Sequence, residues 1–130
     1  MTQFKFSVGP WNVHTGADAY GPATRKDIPI EEKFKKFAEI GFSAIQFHDD
    51  DAVPNINDYT EEEIKEKARE LKKTLDKYNL KAEFVAPRLW MDPHTQDGGF
   101  LSTTKVDRVY AMWRAYRSID IAIELGTVMI

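Results

Sequence analysis

The sequence contains no cysteine, which excludes a disulfide framework and a thiolate metal site. It also lacks any apolar run near the ~20 residues that a membrane-spanning helix requires, and it does not begin like a signal peptide. Blocks of one charge are missing too, because Lys and Glu interleave to a net charge of -3, which disfavours nucleic acid or a membrane as partner. We therefore expect a cytoplasmic protein that binds small molecules or other proteins.

The composition is that of one globular domain. The chain has 130 residues, of which 42% are hydrophobic and 12% aromatic, and this is enough apolar material to build a core.

Hydrophobic periodicity predicts alternating strands and helices along the whole chain. The predicted elements are strand one (4–9), a helix from Ile30 that ends at Gly41, strand two (42–47), a loop (48–59), a helix from the Thr60 cap to Tyr78, strand three (80–86), a loop (87–104), a helix (106–125) and the start of strand four (127–130).

Local signals support these boundaries. Thr60 to Glu63 has the pattern of a capping box, and Gly41 and Asn79 suit left-handed helix ends. Gly98-Gly99 predicts unusual backbone angles. In the last helix the large apolar residues predict one buried stripe: Val106, Val109, Tyr110, Trp113, Tyr116, Ile119, Ile123 and Leu125.

Links from helix to strand are short, and links from strand to helix are long. This asymmetry is typical of a TIM (β/α)8 barrel, whose long loops build the active site. An open doubly wound sheet also alternates in this way, but no Gly-rich phosphate loop follows strand one. We expect an α/β fold in which residues 1–130 form the first three and a half units of a barrel of roughly 250 residues, either truncated in strand four or assembled with another copy.

Candidate site residues follow the predicted strand ends, which share one rim in a barrel. They are Trp11 and His14 after strand one, His48 to Asp51 after strand two, and Arg88 and Trp90 after strand three. Sugars suit such a mixture, since their CH faces stack on aromatic rings while their hydroxyls need fixed polar partners.

His48 has two interpretations, either a loop anchor or a proton-transfer group. A carboxylate on its second ring nitrogen would fix its tautomer, and Asp49, Asp50 and Asp51 are all candidates for that partner. A complete metal site is disfavoured, because neighbouring side chains in an extended segment point apart. At least one of the three acids is expected to be a solvated turn former, and His94 is expected to be exposed.

Several motifs in the same order resemble the shorter class of xylose (glucose) isomerase. They are Gly9-Pro10-Trp11, residues 20–25, Phe47-His48-Asp49-Asp50-Asp51, residues 89–93 leading to 97–100, and residues 118–126.

The resemblance implies a tetrameric TIM barrel that interconverts aldose and ketose sugars with two divalent cations, Mg, Mn or Co. It implies that His48 assists ring opening, that Asp51 orients His48, and that Trp11, Trp90 and Tyr20 contact sugar or a neighbouring subunit's pocket. The metal ligands and the catalytic lysine of the family lie beyond Ile130, so the chain alone is expected to be inactive.

This sequence departs from the family at two places. Ala86-Pro87-Arg88 replaces the usual Thr-Thr-Asn, and the region around His14 and Thr15 lacks the expected second Trp. A different sugar is therefore a possible substrate. The alternatives are a sugar epimerase of the same superfamily and a noncatalytic half-barrel that self-associates.

Overall fold

The computed structural model describes residues 4–17 and 21–130. Within these residues the chain is mixed α/β, with one parallel three-stranded sheet and four α-helices, which confirms the predicted class. The elements are β1 (Ser7–Val8), α1 (Ile30–Ile40), β2 (Ala44–His48), α2 (Asp49–Ala52), α3 (Glu61–Lys77), β3 (Lys81–Ala86) and α4 (Lys105–Leu125), with short 3-10 turns at Pro10–Val13, Ile56–Asp58 and Gly99–Leu101.

The strands lie in the order in which they occur in the chain, β1-β2-β3. The segment after α4 continues this order along the outer edge of β3. There the Val85 N–H donates to the Met129 carbonyl (3.2 Å), and the Thr127 hydroxyl donates to the Glu83 carbonyl (2.6 Å). The predicted fourth strand therefore lies at the expected edge, although it does not form a regular strand.

One face of the sheet carries the hydrophobic core. Side chains of a strand alternate between its two faces, and Ile45, Phe47 and Val85 are fully buried on the same side. The three long helices all contribute to the single core cluster that contains these strand residues, through Phe34, Phe37, Ile64, Ala68, Leu75, Ile121, Ala122 and Leu125.

The opposite face of the sheet carries a row of hydrogen-bonded polar side chains. Gln46 lies between the two buried residues of β2, and its amide donates to Glu83 Oε2 (2.9 Å) and to the Ser7 hydroxyl (3.0 Å). Ser7 in turn donates to the same Glu83 oxygen. This hydrogen-bonded row connects all three strands on the side that the helices do not cover.

The predicted helix ends are confirmed. The Thr60 N–H donates to Glu63 Oε2 (2.8 Å) and the Glu63 N–H donates to Thr60 Oγ1 (3.4 Å), which is the reciprocal capping pair. Gly41 is left-handed with φ 103°, and so is Asn79 with φ 55°. Gly98 also has a positive φ of 103°, as its position in the long loop predicted.

Two predictions of secondary structure were wrong in extent. Strand one spans only Ser7–Val8, because the residues before it are exposed and form no ladder with β2, although the Phe6 carbonyl accepts the Ser43 N–H at 2.9 Å. The expected loop at 48–59 begins with the helical turn α2 and contains a 3-10 turn. Consecutive acids therefore point in directions set by a helix rather than by an extended chain.

The predicted stripe of α4 is only partly buried. Leu125 is buried and Trp113 packs against the core, but Val106, Val109, Tyr116 and Ile123 are exposed. The rest of the buried face consists of Ala111, Arg114, Ser118, Ile121 and Ala122. Arg114 and Ser118 lie on this face because their polar groups have partners: Arg114 forms ion pairs, and the Ser118 hydroxyl donates to the Arg114 carbonyl (3.0 Å).

In the part of the chain that the structure describes, no helix is both long enough and apolar enough to cross a membrane.

The outer sheet edge predicts self-association of the chain. Val128 and Ile130 are 97% and 60% exposed beside β3, and unpaired sheet edges with apolar side chains tend to bind other strands. Replacing both residues by Lys should shift the protein toward monomer in sedimentation velocity. Leu101→Lys is the matched control, since Leu101 is 89% exposed but lies away from the sheet. A wild-type chain that stays monomeric at every concentration would contradict the prediction.

Candidate functional site at the carboxyl end of the sheet

The residues that follow the three strands meet at one end of the sheet and line an open cleft. The cleft has a volume of about 630 Å³, and its walls include Trp11, His14, Asp50, Asp51, Arg88 and Trp90. The structure thus brings together side chains that are up to 79 positions apart in the sequence, from Trp11 to Trp90.

Trp11 and Trp90 both contact the His48 ring. The Trp11 and His48 ring centroids are 4.4 Å apart with the planes tilted by 46°, and Trp90 meets His48 edge-on at 4.9 Å. The His48 side chain is only 12% exposed. The tryptophans therefore restrict solvent access to the imidazole, while Trp90 itself remains largely exposed on the cleft wall.

Gly9 explains how Trp11 reaches this position. A Cβ atom at Gly9 would lie 2.2 Å from atoms of the Trp11 indole, so the ring packs directly over the glycine backbone. Pro10 then starts the 3-10 turn that carries Trp11. The Gly9-Pro10-Trp11 motif is thus a compact means of placing an aromatic side chain after β1.

Asp51 binds His48 through both the side chain and the backbone. Asp51 Oδ2 lies 2.9 Å from His48 Nδ1, and it also accepts the His48 backbone N–H at 3.2 Å. Of the three acids that the sequence offered as partners, Asp51 is therefore the one that contacts the imidazole. An ionised Asp51 accepts a hydrogen bond from the Nδ1–H group, which leaves Nε2 as the free acceptor of the ring.

Asp50 and Asp51 both bind Arg88. Arg88 Nε donates to Asp50 Oδ1 (2.8 Å), and Arg88 Nη2 lies 2.7 Å from Asp51 Oδ1. One guanidinium thus bridges two neighbouring carboxylates, a geometry that suits its planar array of donors.

Asp49 lies beneath the site and is fully buried. Arg114 from α4 binds it with two donors, Nε to Oδ2 (2.6 Å) and Nη2 to Oδ1 (2.8 Å). The backbone N–H groups of Asp50 and Arg88 also donate to Asp49 Oδ1, each at 3.0 Å. The buried carboxylate therefore joins α2, α4 and the segment after β3.

The third guanidinium nitrogen of Arg114, Nη1, extends this network to the loop after β3. This atom lies 3.1 Å from Asp92 Oδ2, and the Tyr110 hydroxyl donates to the same oxygen at 2.7 Å. Asp92 thereby connects the loop after β3 to α4 close to the cleft.

Asp50, Asp51 and Arg114 have perturbed pKa values. Burial raises the pKa of Asp50, and the negative charges of Asp49 and Asp51 add to this effect, so that Arg88 offsets only part of it. Burial also raises the pKa of Asp51, but the hydrogen bond to His48 and the charge of Arg88 outweigh it, so the pKa is lowered. Burial disfavours the charged Arg114, yet Asp49 more than compensates and raises its pKa.

The predicted site residues have different outcomes. Trp11, His48, Asp51 and Trp90 come together in one cluster. Tyr20 lies outside the described residues. Each of the three acids binds an arginine or histidine, and Asp50 is the most solvated of them, with 37% of its side chain exposed.

Sequence reasoning missed Arg114 entirely. The sequence did contain a signal for it. Arg114 lies on the same helical face as the small residues Ala111 and Ser118, and an arginine buried on such a face needs an acidic partner. Arg88 was predicted as a site residue after strand three, but its ion pairs with two aspartates could not be deduced without the fold.

Among residues 4–17 and 21–130, no group of three or more His, Asp or Glu side chains is arranged to hold a metal ion. The aspartates after β2 do not fit such a role, because Asp49 and Asp51 each use both carboxylate oxygens on protein donors.

No family model matches the sequence.

The buried ion pair predicts large losses of stability when one partner is removed. Asp49→Asn and Arg114→Met should each lower the free energy of unfolding by about 3–5 kcal/mol, because each leaves an uncompensated buried charge. The double variant should lose less than the sum of both. Urea unfolding measures these values, and Arg69→Met is the control, since its exposed pair with Glu124 is worth only about 0–1 kcal/mol. Additive losses would contradict the prediction.

The lowered pKa of Asp51 predicts how its contribution to stability depends on pH. An acid whose pKa is depressed by folding stabilises the folded state above its unfolded pKa, and this stabilisation disappears as the pH falls through the folded pKa. The stability difference between wild type and Asp51→Asn should therefore be largest at neutral pH and shrink below the ordinary value of 3.8. Urea titrations at several pH values measure the difference, and an equal difference at all of them would refute the prediction.

Proposed function

We propose that this chain is the N-terminal part of a metal-dependent sugar isomerase similar to the shorter class of xylose isomerase, and that its cleft binds the sugar during ring opening. The observation that carries the proposal is the His48 ring, which contacts two tryptophans of the cleft wall and bonds to Asp51 through Nδ1. The order of the motifs described above, from Gly9-Pro10-Trp11 to Gly126, supports the same conclusion.

The sheet supports a barrel as the complete fold. In a barrel the strands follow one another around the sheet and the helices cover its outer side, whereas a doubly wound sheet reverses its strand order and has helices on both faces. Here the order is β1-β2-β3 with residues 127–130 next, and the long helices share one core on one face. The polar row of Ser7, Gln46 and Glu83 would then point into the barrel.

The charges of the cleft favour a neutral sugar over a phosphorylated one. The two cations on its wall already have carboxylate partners, since Arg88 binds Asp50 and Asp51 and Lys33 binds Asp27 at 3.2 Å. A phosphate would have to displace one of these acids. A neutral polyol needs no such change, because its hydroxyls can bond to the carboxylates while its CH face stacks on Trp90.

In this proposal His48 moves the proton that ring opening requires. Opening a cyclic aldose takes a proton from the anomeric hydroxyl and delivers one to the ring oxygen. With Nδ1–H bonded to Asp51, the Nε2 atom of His48 can accept and return this proton. Asp51 keeps the ring orientation fixed, and the tryptophans limit competing exchange with water.

Two divalent cations would assist the later transfer of hydrogen between carbons. The resemblance places their ligands beyond Ile130, which agrees with the occupied carboxylates of Asp49 and Asp51. The residues of this chain would then contribute sugar binding and ring opening.

The first test is an assay of the complete protein with several aldoses and with Mg, Mn or Co. Interconversion of an aldose and its ketose is expected. A complete protein that converts none of the sugars with any of these metals would refute the proposed function.

His48→Ala tests the role of the imidazole. The variant should lose about 10²-fold or more of its turnover on a cyclic aldose, which is typical of removing a general acid–base group, and much less on an open-chain analogue. His94→Ala is the matched control, because His94 is an exposed histidine in the loop after β3. Equal losses on cyclic and open-chain substrates would exclude His48 from ring opening.

A further inference from the structure

Arg88 occupies a position that the resemblance does not explain. It replaces the last residue of the usual Thr-Thr-Asn sequence after strand three. Its backbone N–H donates to Asp49 Oδ1 at 3.0 Å, and Asp49 is held by Arg114. The main chain at Arg88 is therefore fixed relative to the buried ion pair.

The Arg88 side chain is also fixed, since it is only 17% exposed. Its Nε and Nη2 atoms bind different carboxylates, Asp50 Oδ1 at 2.8 Å and Asp51 Oδ1 at 2.7 Å. A lysine has one ammonium group on a flexible stem, so it could neutralise one of these acids but could not hold both in this geometry.

The consequence is that Asp51 is bound through both of its oxygens. Oδ1 faces Arg88, and Oδ2 faces the Nδ1 atom and the backbone N–H of His48. Rotation of the carboxylate about its Cβ–Cγ bond would break contacts on both sides. Asp51 thus links the orientation of the imidazole to the position of Arg88.

We propose that Arg88 is a positioning residue for His48: by binding the far oxygen of Asp51, it keeps this carboxylate ionised and correctly turned, and so maintains the Nδ1–H tautomer of the imidazole. The consequence for ring opening rests on the proposed function, whereas the effect on the tautomer does not.

The local charges support this role. Asp49, Asp50 and Asp51 are consecutive, and among the described residues the arginines that pair with them are Arg114, bound to Asp49, and Arg88, bound to Asp50 and Asp51. The charge of Arg88 is one of the causes that lower the pKa of Asp51 against the effect of burial. Loss of Arg88 would therefore favour proton uptake by Asp51, and a protonated Asp51 no longer requires a donor at Nδ1.

The test is a ¹⁵N–¹H spectrum of the histidine rings in the 130-residue chain, which distinguishes Nδ1–H from Nε2–H directly. Wild type should show His48 as the Nδ1–H tautomer, with the assignment made by comparison with His48→Ala. Arg88→Met should shift the tautomer equilibrium of His48 toward the Nε2–H form. In the same variant the Asp51 carboxyl group, followed by the chemical shift of its carboxyl carbon, should titrate at a higher pH. Arg88→Lys, which keeps the charge but not the two-carboxylate contact, should give a smaller shift of the same sign.

Arg117 provides the matched control. It is 14% exposed and also lies between two carboxylates, with Nη1 2.6 Å from Glu61 and Nη2 2.9 Å from Asp120, but it lies outside the cleft. Arg117→Met should leave the tautomer of His48 unchanged. Equal shifts in the Arg88 and Arg117 variants would overturn the proposal, because they would reflect general loosening of the fold.

An unchanged His48 tautomer in Arg88→Met also overturns the proposal. If Arg88→Met does not fold, Arg88→Lys is measured in its place. An unchanged His48 tautomer in Arg88→Lys would then overturn the proposal. In the complete protein, Arg88→Met should reduce kcat on a cyclic aldose by about tenfold with little change in KM, which is a modest share of what acid–base catalysis contributes. If the complete protein has no isomerase activity, the proposed function fails while the tautomer measurement still decides the role of Arg88.

Discussion

The arrangement of the site depends on one buried contact, the ion pair between Asp49 and Arg114. Both side chains are almost completely withdrawn from water, which is costly for each charge alone. The cost is offset because Asp49 also accepts the backbone N–H groups of Asp50 and Arg88. Asp49 thereby connects α2, α4 and the segment after β3, and the position of α4 is fixed relative to the carboxyl ends of the strands.

Much of the element order was predictable from the sequence, because local signals determine it. The Thr60 capping box, the left-handed Gly41 and the alternating burial of β2 each follow from residues near one another in the chain. The buried face of α4 was not predictable from hydrophobicity. Arg114 lies on that face only because Asp49, 65 positions away, supplies the opposite charge, and a pairing over that distance is set by the fold.

The candidate site shows the same division between local and distant causes. The position of His48 at the end of β2 follows from the hydrophobic run before it. In the Gly9-Pro10-Trp11 sequence, the missing side chain of Gly9 permits the indole to pack closely on the backbone. Asp51 is the partner of His48 because the helical turn α2 brings it there. That turn was not predicted, since the polar composition of the segment indicated a loop. The contact of Arg88 with two acids depends on the neighbouring position of β3 in the sheet.

The helical turn at Asp49 to Asp51 explains why three adjacent acids have different sets of partners. Successive side chains on a helix are separated by about 100° around its axis, so Asp49 binds one arginine while Asp50 and Asp51 bind another. Asp49 points to Arg114, Asp50 to Arg88, and Asp51 to His48 and Arg88. An extended chain would offer only two directions. The three acids that resemble a metal cluster in the sequence therefore pair with two arginines, and one of them, Asp51, also orients the imidazole of His48.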